Sequence, residues 1–522
     1  MLRINIHIKG LLMSQIKLDP ITRIEGHLKV EVNVNNGKVT DAKCSADMYR
    51  GIEKALKGYD YLTAIHITQR TCGCCPYAHA EAAALAIENA LKIELNKNGK
   101  LLRNMVIGAY KLKDYLLHFY TLSLLDFMDI KAILDYEGND SDLLELKRWV
   151  LKEISSNKVF PSPLFLQRFK ANYITLKELN IVLIKHYLES FEIMKKIDTM
   201  VKIFGSKSPH MVSIEAGGVT TMPTADRLIK YIDLAKETSV FIQEKYLNDV
   251  IEVAKQYKEY FKIGKGPDNF LTFNTLLNLD GSYEFVQGIS TDYKLNENID
   301  PYNIVEYNGF AYYKESGGYK PLELTQLTPI TLEEFKHETK KYSWSRAPRF
   351  EGRVVEVGPS AIIINTYLSG KNKKLNSLVD KINAELGITL QDYNSVMGRH
   401  LARAIISQLI MDKIFNDALN VDEGVLGFIQ LPEIPNNVKG IGLTEATRGA
   451  LAHFIEIGEN GFIKNYEMIV PTTWNISPKD NSGIHGALEQ MLIGTEIKDE
   501  KNPIEIARIV RSIDPCLACA VH

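Results

Sequence analysis

Arg70-Thr71-Cys72-Gly73-Cys74-Cys75-Pro76-Tyr77-Ala78-His79 carries three of the six cysteines of the chain, directly ahead of an alanine-rich run. Far downstream, Asp514-Pro515-Cys516-Leu517-Ala518-Cys519-Ala520-Val521-His522 offers a second Cys-x-x-Cys followed by a histidine. In such a turn both sulfurs can face one metal, and thiolates select zinc, iron-sulfur clusters or other thiophilic transition metals over magnesium or calcium. One pair alone is more often a structural zinc or redox motif. Two distant pairs together describe a four-thiolate metal site closed by the fold, although spacing does not separate zinc from nickel or iron. Pro76 occupies a favoured first-turn position of a helix running on through Ala78 to Leu91. Cys75 therefore stands at a helix N-terminus, where partial positive charge favours a thiolate, and His79 lies four residues on over the same face.

Composition narrows the class of protein. With 522 residues and 45% hydrophobic content, the chain can fill one large core or several. Its 62 basic and 64 acidic residues leave no positive field for phosphates, which argues against nucleic acid as a partner. The metal motifs claim four cysteines, and the remaining Cys44 and Cys74 make no disulfide framework. No apolar run reaches transmembrane length, so the chain is expected to be soluble by itself. Residues 1–13 read as an N-terminal extension ahead of a single domain spanning 14–522. Met1 to Leu12 lacks a signal-peptide core and cleavage site, and Met13 is an alternative start.

Alternation from Leu28 to Val34, the Asn36-Gly37 turn and the return from Val39 to Cys44 predict a two-stranded antiparallel ribbon. Helical spacing dominates afterwards, over Gly51–Lys57, Tyr61–Gln69, Pro76–Leu95, Leu101–Asp129, Ile174–Ile197, Ala225–Tyr260, Asn376–Leu386, Leu390–Phe415 and Ile504–Ile513. Gly264 to Gly358, rich in Gly, Pro, Asn and Tyr, predicts irregular chain with small strands. The expected class is mainly α, an α+β fold with a large helical body, a β ribbon in front and small strands in the second half.

The two cysteine motifs resemble the paired signatures of the nickel-iron hydrogenase large subunit. The likeness continues through Asp19-Pro20-Ile21-Thr22-Arg23-Ile24-Glu25-Gly26-His27, Ile203-Phe204-Gly205, Ser208-Pro209-His210, Glu356-Val357-Gly358-Pro359 and Val470-Pro471-Thr472-Thr473-Trp474-Asn475, covering nearly the whole chain after the first dozen residues. It implies the same fold class and a nickel bound by Cys72, Cys75, Cys516 and Cys519, with Cys75 and Cys519 bridging to an iron that carries carbon monoxide and cyanide. Dihydrogen would be split heterolytically there, with Cys516 or Arg448 as the base. Glu25, locally an ordinary carboxylate at a strand start, matches the glutamate that passes the proton outward. Glu53, otherwise a first-turn helix acid, matches a magnesium ligand alongside His522 and the backbone carbonyl of Met468, where the family commonly has leucine. Arg448 matches the arginine over the open metal position and His79 the histidine bonded to a bridging cysteine. Asp126, a carboxylate on an apolar helix face, calls for a partner if buried; Arg448 and Asp514 are its implied neighbours, with Arg448 expected to pair its charge.

Two departures stand out: Thr447 where the family usually has proline, and Cys74 where it commonly has a valine lining the gas route, with Leu122 opposite. The resemblance also implies an iron-sulfur small subunit in a heterodimer or a higher assembly of heterodimers, with electrons passed on to a membrane cytochrome or quinone-linked subunit. It implies hydrogen uptake and attachment to the outer face of the cytoplasmic membrane through partners, a cytoplasmic location being the alternative. The rival functions are a hydrogen-sensing regulatory hydrogenase, a subunit of a related quinone-coupled complex, which need not keep all four cysteines, and, in a different class, a structural zinc protein.

Overall fold

The computed structural model describes residues 3–8, 13–156, 169–323, 327–432 and 436–522. The expected two-stranded ribbon is the second half of a four-stranded antiparallel sheet: β1 (Arg3–Ile8), β2 (Met13–Asp19), β3 (Leu28–Asn35) and β4 (Lys38–Ala46), hydrogen-bonded in sequence order. Along β3 the burial alternates, with Val30, Val32 and Val34 inward. Asn36 and Gly37, at φ 51° and 73°, make the tight turn whose twist suits a hairpin. Within the expected extension, Arg3–Ile8 pairs in register with Ser14–Asp19 as an edge strand. Its pairing to a strand inside the expected domain sets it apart from a detached tail.

Behind the sheet lie the helices. α1 (Pro76–Leu91) is an almost wholly buried rod, half alanine in its central turns. α2 (Lys97–Leu116), capped by the Asn96 side chain on the Gly99 amide, continues as a π-helical segment Leu117–Ser123 and a 3-10 turn Leu124–Asp126. The helix expected over Leu101–Asp129 is therefore three conformations in series, and π segments recur at functional sites. α3 (Lys177–Gly205) and α4 (Val396–Asn420) pack on α2. At Gly108 a Cβ would fall 2.3 Å from Ile414 Cγ2, so α2 and α4 cross at a contact that only glycine permits. The helix expected over Ala225–Tyr260 breaks likewise at a π segment, Phe241–Tyr246.

The Gly264–Gly358 section holds the small strands expected of it, including Asn269–Thr272, Gly288–Thr291 and Ile304–Tyr307. Helices Ser141–Ser156 and Pro359–Ser369 were not anticipated. The second is buried along most of its length, so its sequence carries no apolar stripe. Also unanticipated is a three-stranded antiparallel sheet of β5 (Val438–Ala446), β6 (Gly449–Ile457) and β7 (Ile463–Ile469). β5 lies against α1 so closely that a Cβ on Gly440 or Gly442 would fall 2.0 or 1.9 Å from the carbonyls of Ala86 and Ala82. α5 (Ile504–Ile513) carries the chain back to the start, and one hydrophobic core runs from Ile16 to Val521.

Candidate metal centre

All four motif cysteines are buried, and their sulfurs lie within 4.8 Å of one another. Cys72 Sγ is 3.2 Å from Cys516 Sγ, Cys75 Sγ 3.3 Å from Cys519 Sγ, and Cys516 Sγ 3.0 Å from Cys519 Sγ. Cys72 Sγ also accepts from the Cys74 and Cys75 amides at 3.2 and 3.4 Å, donors placed by the turn into α1. Burial pushes the Cys516 thiol up to about 12. Four thiolates crowded out of water are tolerable only around a cation, so this donor set fits a thiophilic metal.

Glu25 reaches the centre from the loop after β2. Its Oε2 accepts from the Ala518 amide at 2.9 Å and from the Cys516 thiol at 3.2 Å, and its carbonyl accepts from the Leu517 amide at 3.0 Å. The contact is a short parallel bridge between residues 25 and 516. It depends on Gly26, at φ 80°, where a Cβ would fall 2.7 Å from Leu517 Cβ. Glu25 is half-buried and Gly26 exposed, so the carboxylate spans from thiol to surface.

His79 Nε2 lies 3.5 Å from Cys519 Sγ. Behind it stand two residues the sequence did not mark: His453 Nε2, 3.1 Å from His79 Nδ1, and Tyr466 Oη, 2.7 Å from His453 Nδ1. Burial holds His79 down at about 3, hence neutral. With neutral rings, one tautomer assignment lets every group donate toward the sulfur, from Tyr466 to His453 to His79 to Cys519.

Arg448 sits in the two-residue turn between β5 and β6, enclosed by the Ala446–Gly449 pair. Gly358 and Gly449, at φ 112° and 125°, nest against this turn, and a Cβ on either would fall within 2.8 Å of the other's backbone neighbourhood. Arg448 Nε donates to the Asp514 carbonyl at 2.7 Å, and its Nη2 pairs with Asp514 Oδ2 at 3.0 Å. Its Nη1 faces Asp114 Oδ2 at 3.7 Å.

The expectation that Arg448 pairs with Asp126 is therefore corrected. Asp126 takes Arg511 Nη1 on both oxygens, at 2.7 and 2.8 Å, together with Arg23 Nη2. One Arg511 nitrogen shared by both carboxylate oxygens, a second guanidinium on Oδ1 and full burial explain the preference. Arg23 stands two residues before Glu25 and Arg511 five before Cys516, so Asp126 ties together the two segments that meet at the Glu25–Cys516 contact. The acid facing Arg448 from α2 is Asp114, one polar position among several on that helix and invisible without the fold. Thr447 contributes what proline would not: its amide donates to Tyr77 Oη at 2.9 Å and its hydroxyl to Asp114 Oδ2 at 3.1 Å. Cys74 is half-buried beside Cys72, and Leu122 is half-buried in the π segment, its carbonyl accepting from Arg23 Nη1 at 3.0 Å. Cys44 lies in the core, remote from the centre in function, its amide donating to Glu489.

The structure brings Glu53, Met468 and His522 together. Glu53 Oε1 is 3.1 Å from His522 Nε2 and accepts from the Met468 amide at 2.8 Å. Arg346 closes the group, bonding both Glu53 oxygens at 3.3 Å and approaching the Met468 carbonyl at 3.4 Å and His522 Nε2 at 3.0 Å. Against the upward push of burial, Arg346 and His522 hold the Glu53 carboxyl down at about 2. Glu306 and Glu467 are buried alongside; Glu306 Oε1 lies 3.5 Å from Arg346 Nε, and neither Glu306 oxygen nor Glu467 Oε1 has a hydrogen-bond partner. Burial pushes the Glu306 and Glu467 carboxyls up, and three carboxyl groups gathered around one guanidinium supply hard oxygen donors, which fits a dication held by carboxylate, carbonyl and imidazole.

Known proteins align over the whole of this architecture. A family model described as nickel-dependent hydrogenase matches residues 50–522, and one described as HoxL-like matches residues 15–46. The chain is 34% identical to the periplasmic [NiFeSe] hydrogenase large subunit of Desulfomicrobium baculatum, covering 97% of this chain and 95% of that one. It is 32% identical to the hydrogenase-2 large chain of Escherichia coli K12, covering 98% and 97%. The solved structure of the reduced Ni-Fe-Se hydrogenase from Desulfovibrio vulgaris Hildenborough superposes with a TM-score of 0.84 at 33% identity, over 98% of this chain and 100% of that one. Four cysteines closed by the fold, a carboxylate on one of them and this full-length likeness lead to one conclusion: the chain belongs to the nickel-dependent hydrogenase family, as the large, hydrogen-activating subunit.

Proposed function

We propose that Cys72, Cys75, Cys516 and Cys519 would hold a nickel-iron centre whose iron would carry carbon monoxide and cyanide, and that the cage of Glu53, Met468 and His522 would hold magnesium. When bound, the bimetallic centre supplies the position at which dihydrogen is split heterolytically. The contributions of the polypeptide follow from its contacts. The Cys516 sulfur takes the proton and Glu25 Oε2, 3.2 Å away, receives it and turns it toward the surface. Arg448, fixed by Asp514 and Asp114, holds positive charge over the sulfurs, and the Tyr466–His453–His79 chain keeps a donor on Cys519. The short Glu25–Cys516 contact is the observation that carries this reading.

Electrons leave through an iron-sulfur small subunit, since Cys44 and Cys74 are the only thiols left over and Cys44 is buried in the core. Hydrogen uptake, with attachment to a membrane through partner subunits, is the physiological setting. Relatives named periplasmic and quinone-reactive support it, and among the described residues no helix is long and apolar enough to cross a membrane. The test is nickel, iron and magnesium content with infrared spectra of the purified complex, alongside hydrogen-dependent dye reduction. Carbon monoxide and cyanide bands with stoichiometric nickel are expected. Zinc in place of nickel, with no such bands, would overturn the reading.

A further inference from the structure

Three ionisable side chains lie buried behind Asp114 and take no part in the chemistry above: Glu81 of α1, Lys111 of α2 and Glu445 of β5, at 6, 2 and 0% exposure. Each is anchored by neutral groups, and none is ion-paired with another. Lys111 Nζ donates to Thr275 Oγ1 at 2.7 Å, Glu445 Oε1 accepts from the Phe273 amide at 2.7 Å, and Glu81 Oε2 accepts from Thr444 Oγ1 at 2.7 Å. Glu445 Oε2 and Asp114 Oδ1 have no hydrogen-bond partner. Buried orphaned oxygens of this kind are ordinarily satisfied by internal water.

The trio has two ends. Outward, Glu81, Thr444 and Thr275 line a cleft of about 500 Å³, open to solvent. Inward, Lys111 precedes Asp114 by one helical turn, on the same side of α2. Glu445 precedes Thr447 by two residues, and the Thr447 hydroxyl is bonded to Asp114, which faces Arg448. Chemically graded groups therefore lead from the arginine above the metal centre to a cleft separate from the Glu25 surface.

We propose that Asp114, Glu445, Lys111 and Glu81 form a second proton exit, draining the Arg448 side of the metal centre into the cleft lined by Glu81. A proton arriving at the Asp114 carboxylate from the metal side crosses through internal water to the Glu445 carboxylate, and Glu445 passes it to the Lys111 amine. The resulting ammonium gives it to the Glu81 carboxylate, and Glu81 releases it to water in the cleft. Every group returns to its starting state and no electron moves. Burial pushes Asp114 up to about 7 and Glu445 up to about 8, and brings Lys111 down to about 8, a matched series for transfer near neutrality. The charged groups facing the series are Arg103 and Glu88 at Glu81, and Arg448, Lys113 and Asp514 at Asp114. Thr447, where proline is usual in the family, supplies a hydroxyl that proline lacks at the inner end.

The proposal rests on the hydrogenase reading, and the experiment separates the two. In the complete complex, hydrogen–deuterium exchange between dihydrogen and D2O is followed by mass spectrometry in parent, Glu25→Gln, Glu25→Gln/Glu445→Gln and Glu25→Gln/Lys111→Met proteins, with nickel content as the control for assembly. Glu25→Gln is expected to retain a residual rate, and either second substitution to lower it by at least about tenfold with nickel unchanged. Replacement by Glu445→Asp is expected to restore part of it, which a purely structural role would not predict. Residual rates equal to that of Glu25→Gln alone overturn the second exit. If nickel is lost from the double variants, Glu25→Gln/Thr447→Ala carries the test, an unchanged residual rate again overturning it. A parent complex that exchanges nothing would instead defeat the hydrogenase reading.

Discussion

Replacing Asp126 with asparagine preserves shape and removes one negative charge from a site where Arg511 and Arg23 both bind it and where neither Asp126 nor Arg511 is exposed to water. Truncating one side of a buried ion pair costs about 3–5 kcal/mol, because the surviving charge stays buried without compensation. An unfolding entropy of about 2.1 cal/mol/K per residue, summed over a chain of this length, comes to about 1 kcal/mol/K. The loss then corresponds to a melting temperature lower by roughly 3–5 °C if the chain unfolds as a unit. Lys17→Ala is the comparator. Its ion pair with Asp19 spans 3.2 Å, but the side chains are 32 and 26% exposed. Screened pairs of that kind contribute at most about 1 kcal/mol, a shift of about 1 °C or less. Scanning calorimetry of both variants, as complexes at matched concentration and scan rate, makes the comparison. Because Arg23 and Arg511 flank the segments that form the Glu25–Cys516 contact, the Asp126 variant should also exchange protons more slowly. A melting temperature indistinguishable from that of Lys17→Ala would refute the argument that this buried carboxylate organises the two segments.

Glu25→Gln keeps the metals, since it contributes no ligand, and slows hydrogen–deuterium exchange by about 10²-fold or more, the usual span for a lost proton-transfer group; an unchanged rate would contradict the relay. Cys75→Ser substitutes a hard donor for one of the four clustered thiolates and should prevent assembly, so stoichiometric nickel in the purified variant would count against the proposed ligand assignment. Arg448→Lys keeps a charge but not the fork that engages the Asp514 carbonyl and carboxylate together. Turnover should fall by about tenfold or more with nickel retained, and parental turnover would show that charge alone suffices. In acid, Asp126 is depressed from 3.8 to about 2. Its contribution is present above pH 4 and lost only as the pH falls through about 2, so melting curves between pH 7 and 5 should lose nothing on its account, and a difference between parent and Asp126→Asn that already closes in that range would contradict it.

The metal centre was legible in the sequence because its parts are local: each cysteine pair sits in its own short turn, with Pro76 marking the helix that positions one of them. Glu25 and His522 were legible only by likeness, since nothing near them says what they face. Asp114 was not legible at all. Its role arises where α2 passes the β5–β6 turn, and the more apolar surroundings of Asp126 drew attention to the wrong carboxylate. His453 and Tyr466 are hidden for a similar reason, being neighbours only across two strands, one of them buried on nearly every residue and so without alternation in its sequence. In β5, glycine occupies positions that would ordinarily show apolar residues, because the backbone of α1 fills the space. Where packing replaces side chains with hydrogen atoms, the pattern used to recognise a strand fades although the strand is tightly held.

The separation of 444 residues between Cys72 and Cys516 has a thermodynamic consequence for the chain as a whole. A covalent cross-link closing a 100-residue loop removes about 4.7 kcal/mol of freedom from the unfolded chain, and each further doubling adds about 0.6 kcal/mol. A metal gripping both cysteine pairs acts as a reversible cross-link around nearly the entire polypeptide, restricting its unfolded ensemble by roughly 6 kcal/mol. A metal loaded there would thus act as the clasp on a ring, tightening two ends that the Glu25–Leu517 and Thr22–Arg511 contacts already hold together.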